Sequence, residues 1–545
     1  VWATHELLEA ITPHCSPNSL VRLEQTILDY YPAWERKADA RRWRGQSQWA
    51  LLDAIDPAHR SDLVTARLRE WQRKFARESV TQPVGMQVEA VGSPIPEAAT
   101  EEMSNDSWLG AIARYRKEGE WPRVRGRDGG LAGGAFELGQ ALERRAKEDP
   151  RRFASLMLRF PPDTNPTYCS AVLNGIAEAQ SDVELSLTAC RHCHGLPGRP
   201  AGTAIVRLIG KLAGRSLPDE LLEILGWCAT EDPHPDKEYW RTQTGSGDVY
   251  YGGDIIMAGL NSTRGAAAET LAKLLFAEPS LVERLKATLD RVIQDHSIAV
   301  RSWVAETLVA VLNYDRGYAV TLFLRLCETE DVLLGTRFVE EFLSWALRTH
   351  FDALSPVLVR MLDSECPQAA EAGARQACLA GLYIEGAQDL TERCMHGTDT
   401  QRVGAAQVFA ANVDHAQFRQ RCLDGLVQFF HDPSDKVQDA AAGCFRDIAQ
   451  TELGDFADLM LEFVNSPAYA KHNGNLVFAL HESPFAPPEV ICRASERFVE
   501  IAGASAGDIS QGAAFDAHLL SDLVLRAYAS APDGTVKSRC LDAVD

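Results

Sequence analysis

Apolar residues recur along this chain at the spacing of one helix face, and this recurrence limits what the chain can fold into. From residue 281 onward, segment after segment places apolar side chains at positions i, i+3, i+4 and i+7. That spacing is typical of amphipathic helices, and strand-like alternation is nearly absent. The clearest segments are residues 300–312, 354–362, 422–430 and 437–448. The pattern predicts an all-α protein.

The joints between these helices follow a second pattern. An Asp stands in a short turn, and the next helix opens with small apolar residues and a basic or amide residue. The joints are residues 295–307, 363–380, 397–410 and 431–445, with Arg301, Arg375, Arg402 and Gln438 at the basic or amide position. The long interval between the first two joints leaves room for another helix pair, around residues 337–349.

Helix pairs joined in this way resemble HEAT and related α-solenoid repeats, whose units of about 35 to 45 residues hold two antiparallel helices. The resemblance implies that the Asp caps the second helix by accepting its free N–H groups. One pair cannot bury its apolar face alone, so neighbouring pairs stack. The implied fold class is an all-α, α-α superhelix, that is, a HEAT- or armadillo-like solenoid of antiparallel helix pairs.

Breaks in the helical pattern divide the chain. Residues 79–103 are rich in Pro, Gly and small residues, which disfavour helix and indicate a linker. We predict an N-terminal helical region at 1–78, irregular helical repeats with long loops at 104–280, and HEAT-like repeats at 281–545. The chain starts at Val1 without Met and ends within a helical pattern, which favours a fragment of a longer polypeptide.

Length and composition exclude some classes of protein. A chain of 545 residues is too long for one compact domain. It has no apolar run of about 18 residues, so we expect no membrane span. Its 13 Cys are scattered singly rather than grouped in a disulfide framework, which favours a reducing cytoplasm.

The net charge of −21 is distributed unevenly. Residues 1–160 carry 24 Lys and Arg against 23 Asp and Glu, whereas residues 161–545 carry 31 against 53. The acidic remainder would repel a nucleic-acid backbone. A basic stretch at 36–77 contains tryptophans and would suit nucleic acid; the alternative is a solvated helix face above a tryptophan core. Its candidate nucleic-acid contacts are Arg41, Arg42, Arg44, Arg73 and Lys74.

Two short motifs match sequences with known chemistry. Cys190, Cys193 and His194 form C-x-x-C-H, which attaches c-type haem or begins a zinc site. Haem needs export and zinc needs four ligands, but neither an export signal nor a second ligand pair is evident. The other interpretation is a helix end with buried Cys, and no cofactor is expected. Ser505 lies in G-x-S-x-G, but a helical segment precedes it where a nucleophile elbow needs a strand.

A long segment at 239–265 interrupts the helical pattern with Gly, aromatic and charged residues. Such loops are common at binding surfaces, and the alternative is a loop that only closes the structure locally. Asp254 would cap the helix that begins at Ile255, and Arg264 would pair with Asp248 or Asp254. The candidate partner-binding residues are Trp240, Arg241, Asp248, Tyr250, Tyr251, Asp254, Asn261 and Arg264.

Three segments, at 93–115, 252–275 and 538–545, resemble parts of large bacterial multidomain proteins. In those proteins an NTPase region of STAND type precedes a long helical region, and some act in antiviral defence with the repeats sensing a trigger. The resemblance implies a non-catalytic recognition or scaffold region that binds a protein partner or trigger. No NTPase motif lies in this chain, so no catalytic residue is expected in it. A nucleic-acid-binding solenoid is the alternative.

Overall fold

The computed structural model describes residues 2–75, 91–117, 131–161, 163–245, 247–448, 453–502, 512–531 and 534–544. Nearly all regular structure in these ranges is helical, and the strands found there, Val91–Gly92 and Leu131–Ala132, have two residues each. The predicted all-α class is confirmed. None of the helices described is both long and apolar enough to cross a lipid bilayer.

The chain divides into two compact units, residues 1–92 with 123–131 and residues 93–122 with 132–545. In the first unit, Ser16 and Ser61 begin α2 and α4 by accepting an N–H group from the first turn of each helix. The elements of this unit are α1 (Trp2–Ile11), α2 (Pro17–Asp29), α3 (Gln46–Asp53) and α4 (Asp62–Lys74), with 3₁₀ turns at Thr12–His14, Ala33–Arg36, Ala38–Trp43 and Pro57–His59.

A buried carboxylate fixes the start of α3. Glu35 is fully buried and accepts the N–H of Gly45 at 2.6 Å and that of Ser47 at 2.9 Å. Gly45 has φ +85°, and a Cβ there would lie 2.5 Å from the ring of Trp71, so this turn requires glycine. The core beside it is formed by Leu8, Ile27, Trp49, Leu52, Ile55, Val64, Leu68 and Phe75.

The second unit is a succession of helices joined by short turns. Its α-helices are α5 (Glu97–Glu101), α6 (Asn105–Arg114), α7 (Ala135–Glu148), α8 (Pro150–Met157), α9 (Pro166–Glu178), α10 (Val183–His194), α11 (Gly202–Gly210), α12 (Asp219–Thr230), α13 (Ile255–Leu260), α14 (Thr263–Ala277), α15 (Val282–Val292), α16 (Ile298–Val311), α17 (Arg316–Leu326), α18 (Arg337–Leu362), α19 (Pro367–Tyr383), α20 (Gln388–Met395), α21 (Asp399–Asn412), α22 (Arg419–Phe430), α23 (Asp435–Ala442), α24 (Cys444–Asp447), α25 (Ala457–Asn465), α26 (Tyr469–Glu482), α27 (Pro488–Ala502), α28 (Gly512–Ser530) and α29 (Gly534–Val544). Its 3₁₀ turns are Tyr239–Arg241, Tyr250–Gly253, Pro279–Leu281, Asp331–Gly335, Glu385–Ala387 and Leu453–Phe456.

These helices pack in neighbouring pairs, and the pairs stack in chain order. The first helix of each pair packs against the first helix of the next, from α7 through α9, α11, α14, α16, α18, α19, α21 and α23 to α26 and α28. The second helices form another layer, as in the series α10, α12, α15 and the series α22, α25, α27, α29. The second unit is therefore a two-layer array of antiparallel helix pairs, as in a helical solenoid.

A break in α18 supplies the helix pair expected around residues 337–349. His350 leaves the helical region with φ −133° and ψ 36°. The residues before and after it therefore form two helices, and each half buries its own apolar side chains. Those before the break include Phe338, Phe342 and Leu343, and those after it include Leu354, Leu358 and Met361.

The joint aspartates do not cap the following helices, which corrects the prediction made from the HEAT resemblance. Ser297 is the N-cap of α16, and Asp295 instead accepts the N–H of Ser297 at 2.8 Å. Asp432 accepts the N–H of Ser434 at 2.8 Å in the same way. The carboxylate thus hydrogen-bonds to the backbone of the N-cap residue, which lies two positions further along the chain.

The same two aspartates connect neighbouring helix pairs. Asp295 forms an ion pair with Arg264 of the preceding pair, and Asp432 forms one with Arg402, each at 2.7 Å. All four side chains are largely buried. Because a buried charge is stable only beside its partner, these pairs specify how one helix pair sits on the next.

Arg375 does not belong with the other basic or amide positions of the joints. The other three lie at the fourth residue of α16, α21 and α23 and donate to a carbonyl of their own joint; they are Arg301, Arg402 and Gln438. Arg375 lies in the middle of α19 and pairs with Glu340 of α18 at 2.5 Å. Its side chain therefore links two first helices along their length.

Candidate functional site

The segment singled out at 239–265 belongs to a long insert between α12 and α14. We define the insert as residues 231–262; it contains the 3₁₀ turns Tyr239–Arg241 and Tyr250–Gly253 and the short helix α13. An antiparallel bridge between Gln243 and Val249 folds the chain back between the two turns. The described residues of the insert thus form a folded segment that departs from the helical array.

Arg264 anchors the base of the insert from inside the protein. Its guanidinium donates to the carbonyl of Asp232 at 2.6 Å and to that of Pro235 at 3.0 Å. It also donates to the Asp295 carboxylate, and a fourth contact reaches the ring of His296 at 3.1 Å. One buried cation therefore fastens the start of the insert to the joint before α16.

The predicted pairing of Arg264 with Asp248 or Asp254 is wrong. Both aspartates are exposed, whereas a buried guanidinium needs a partner that is buried with it, and Asp295 meets that requirement. Arg264 is only 3% exposed, so it is an anchor of the insert rather than a residue that a partner can contact.

Glu238 and His234 fix the insert to the starts of two helices. The Glu238 carboxylate accepts the N–H of Ile298 at 2.6 Å and the indole N–H of Trp240 at 2.5 Å. His234 Nδ1 accepts the N–H of Thr263 at 3.2 Å. Each side chain thereby satisfies a free N–H of a helix first turn, on α16 and α14. Sequence reasoning missed both residues, because no local spacing connects them to helices 29 and 60 positions away.

Three tyrosines lie together on the outer side of the insert, and we call them the aromatic patch: Tyr239, Tyr250 and Tyr251. The ring centroids of Tyr239 and Tyr250 are 5.7 Å apart, edge to face, and those of Tyr250 and Tyr251 are 6.3 Å apart. Tyr250 is 39% exposed and Tyr251 is 42% exposed. The patch offers flat amphipathic surface to solvent.

The backbone of the patch is held in an unfavourable conformation. Tyr251 has φ +56°, in the left-handed region that side chains with a Cβ rarely adopt, and Gly252 follows with φ +61°. A hydrogen bond from the N–H of Tyr250 to the carbonyl of Thr242 at 3.0 Å supports the turn. Such strain persists only where the surroundings fix it, so the orientation of Tyr251 is specified by the fold.

The other predicted contact residues differ in their exposure and in the contacts they make. Trp240 is partly buried, with the Arg241 guanidinium 4.2 Å from its ring, and Arg241 also pairs with Glu330 at 2.6 Å. Asp254 caps α13, as its position before Ile255 predicts, by accepting an N–H at 3.0 Å. Asn261 is exposed at the end of α13 and donates to a carbonyl of its own helix.

An open groove of about 690 Å³ lies beside the base of the insert. The groove is mostly acidic, although Arg291 pairs with Glu231 across part of it. Burial raises the pKa of Asp232 above its ordinary value. Because the five carboxylates of the lining outnumber its two guanidiniums, the groove next to the aromatic patch is polar and carries net negative charge. The carboxylates that line the groove are Glu231, Asp232, Asp236, Asp290 and Asp295.

The C-x-x-C-H residues lie in the core of the second unit. Cys190 and Cys193 are fully buried on α10, and the Cys193 sulfur lies 3.5 Å from that of Met157. His194 packs edge-on against Trp227, with ring centroids 5.1 Å apart. Within the described ranges, no three His, Cys, Asp or Glu side chains are placed to hold a metal ion. The interpretation of a helix end with buried Cys fits this arrangement. Ser505, the other motif residue, lies outside the described residues.

Two of the five candidate nucleic-acid contacts stabilise the first unit itself. Lys74 donates to the carbonyls of Arg41 and Arg44 at 3.2 and 2.7 Å, and Arg44 donates to the carbonyl of Glu35 at 3.3 Å. Arg41, Arg42 and Arg73 are exposed, and the Arg42 guanidinium lies 4.8 Å from the exposed ring of Trp43. The basic stretch is thus partly structural and partly solvated.

A partly buried carboxyl group lies where the helices α14, α16 and α18 stack. Glu306 of α16 has an Oε2 atom that is buried without a hydrogen-bond partner among the described residues. Burial, together with the nearby carboxylates of Glu269 and Glu341, raises the pKa of Glu306 to about 7. The charged form is therefore disfavoured in the folded protein near neutral pH.

Substituting Glu306 with glutamine should change how stability depends on pH. The folded-state pKa lies above the ordinary value of 4.5, so the stability that neutral Glu306 provides is complete below about pH 4.5 and is lost as pH rises through about 7. After allowance for partial exposure, we expect Glu306→Gln to be more stable than wild type by about 1 to 2 kcal/mol at pH 8 and equal to it near pH 4.5. Urea unfolding across this range measures the difference. Glu223→Gln, at an exposed position, is the control. A stability difference between Glu306→Gln and wild type that does not vary with pH would contradict a buried Glu306.

Comparison with known proteins assigns the chain to no family. The sequence matches no known family model and no curated protein. One solved structure that aligns with it is the crystal structure of an engineered protein, over 82% of this chain and 97% of the other at 12% identity. The TM-score of that alignment is 0.29, so it carries no argument about fold or function.

Proposed function

We propose that this chain is a non-catalytic recognition region that binds a protein partner through the aromatic patch. The observation that carries the proposal is the pair of exposed tyrosine rings, Tyr250 and Tyr251, which lie beside the partly buried Tyr239 on an insert whose base is buried and hydrogen-bonded. Tyrosine is enriched at protein interfaces because its ring offers a large amphipathic surface with few torsions to immobilise. A loop that only closed the chain locally would gain nothing from exposed rings on strained backbone.

The anchoring of the insert supports binding by a preformed surface. Arg264, Glu238 and Arg241 tie the insert to the joint before α16, to the start of α16 and to Glu330. A surface already fixed by folding loses little conformational entropy when a partner docks. The neighbouring acidic groove would add charge selectivity and would make association sensitive to salt.

The wider assignment rests on resemblance. The stacked helix pairs resemble those of HEAT repeats, and such arrays commonly serve as scaffolds with extended binding surfaces. We propose that the array serves as the sensor of a larger bacterial defence protein of STAND type, whose NTPase would lie on a part of the polypeptide other than this chain. The 13 cysteines are all free thiols, which supports a cytoplasmic protein.

The aromatic patch is tested by removing its two most exposed rings. We expect the double variant Tyr250→Ala/Tyr251→Ala to lose at least about tenfold in affinity for a partner captured with the full chain as bait, since truncated aromatic anchors commonly cost this much or more. Surface plasmon resonance with the captured and identified partner measures the change. Folding of the variant is checked by circular dichroism.

A matched control comes from tyrosines exposed elsewhere on the second unit. Tyr314 and Tyr528 are 43% and 40% exposed. The double variant Tyr314→Ala/Tyr528→Ala removes the same ring area and should bind as the wild type does. Equal affinities for the patch variant, the control variant and the wild type would reject the patch as the contact.

A further inference from the structure

Three pairs of buried cysteines face each other across helix contacts in the second unit. Cys169 and Cys193 are neighbouring thiols in the contact between α9 and α10, and Cys378 and Cys394 are neighbouring thiols in the contact between α19 and α20. The third pair, Cys492 and Cys540, joins α27 to α29, with 3.5 Å between the two sulfur atoms. All six side chains are almost completely buried.

The third pair differs from the others in the element that covers it. Among the described side chains of α29, only Cys540 is buried, and only Val536 is a partly buried apolar neighbour. An ion pair between Arg539 and Glu496 at 2.7 Å adds a polar link to α27, with both side chains about one-third exposed. In contrast, α20, which carries Cys394, also buries Thr391 and packs the partly buried Leu390 and Met395 against the core. Helices with few buried contacts open locally at the lowest free energy, so α29 should open before α20.

We propose that Cys492 and Cys540 form a redox modification site, at which a small disulfide of the glutathione class converts the two thiols into a disulfide bond that fastens α29 to α27. One protein thiolate attacks the small disulfide and forms a mixed disulfide, releasing one small thiolate. The second protein thiolate then attacks the protein sulfur of that mixed disulfide and releases the other. The protein loses two electrons and two protons, and the small disulfide takes them up to become two small thiols.

The closed structure explains why the pair would stay reduced until α29 opens. Burial raises the pKa of Cys492 to about 12, against a smaller opposing effect of the Arg539 charge. The attacking thiolate is therefore scarce while the pair is covered. When α29 swings away, both sulfur atoms reach solvent and regain ordinary acidity. When it returns, the sulfurs need to approach by only about 1.5 Å to reach the length of a disulfide bond, which is about 2.05 Å.

Disulfide mapping on the full chain tests the proposal. The protein is incubated in glutathione buffers of increasing disulfide content, free thiols are alkylated, and unreduced peptides are identified by mass spectrometry. We expect a Cys492–Cys540 cross-linked peptide to appear at a lower oxidant ratio than cross-links of the other two pairs. If Cys492 and Cys540 are still alkylated at an oxidant ratio that converts the other two pairs to disulfides, the proposal is overturned.

A second measurement tests the effect on the helix. Amide hydrogen exchange in α29 should slow by at least about tenfold on oxidation and recover on reduction, because the cross-link prevents local opening. Cys540→Ser should abolish both the cross-link and the added protection, whereas Cys394→Ser should retain both. If either variant fails to fold, the difference in α29 hydrogen exchange between oxidised and reduced wild-type protein still tests the proposal. Exchange in α29 that is unchanged by a formed cross-link would show that the bond does not fasten the helix.

Discussion

Replacing Arg264 with alanine is expected to lower the free energy of unfolding by about 3 to 5 kcal/mol. The side chains of Arg264 and Asp295 are 4% and 6% exposed and lie 2.7 Å apart. Alanine would leave Asp295 as a buried charge without its cation and would remove the donors to two carbonyls of the insert. The loss is large because the remaining carboxylate cannot recover its hydration while the fold persists.

Urea unfolding followed by circular dichroism measures this loss. The control is Arg291→Ala, which breaks an ion pair with Glu231 whose side chains are 57% and 45% exposed, and it should cost no more than about 1 kcal/mol. Hydrogen exchange should also become faster in residues 231–262 of Arg264→Ala, because their anchor is gone. Equal losses of stability in the two variants would mean that Arg264 is solvated and that the insert is held by other contacts.

The Arg264–Asp295 pair shows where sequence reasoning reaches its limit. Asp295 is recognisable as a joint residue, but its partner lies 31 positions earlier, beyond any local spacing. Local reasoning instead pairs Arg264 with the nearest aspartates, Asp248 and Asp254. A usable signal does exist, since Arg402 and Asp432 repeat the same contact at a separation of 30 residues. Comparing the joints with one another, rather than each with its neighbours, would have revealed it.

The helices themselves are predictable because burial imposes a local period. Trp303, Val304 and Leu308 follow that period and are buried on α16. The break at His350 and the position of Arg375 do not follow from periodicity, because both depend on which helices meet after stacking. Repeat spacing therefore predicts the elements, whereas the contacts between repeats require the three-dimensional arrangement.

The location of the insert is predictable from the sequence, but the roles of its residues are not. Gly, aromatic and charged residues mark the insert, and exposed Tyr250 and Tyr251 agree with a surface role. Burial of Arg264 and partial burial of Trp240 do not follow from composition, because the same residue types occur at surfaces and in anchors. Glu238 carries no signal at all, since its function is to accept the N–H of Ile298, which lies 60 residues away.

Replacing Phe463 with alanine is expected to cost about 3 to 5 kcal/mol, as is usual for a large aromatic side chain removed from a core. Phe463 of α25 is fully buried, and its ring centroid lies 4.9 Å from that of Phe430, 4.8 Å from that of Phe445 and 5.7 Å from that of Tyr469. These rings come from three successive helix pairs. The sequence places Phe430 and Phe445 on apolar helix faces, but only stacking brings Phe463 between them.

Phe478 on α26 provides the matched control. It is 52% exposed, so Phe478→Ala should change the free energy of unfolding by no more than about 0.5 kcal/mol. Contacts in a stacked array run mainly between neighbours, so Phe463→Ala should act locally before it acts globally. Hydrogen exchange should become faster in α22 to α26 while α7 to α11 keep their protection. Equal acceleration along the whole second unit would show instead that the array unfolds as one cooperative body, and the coupling between repeats would then exceed the stability of each pair.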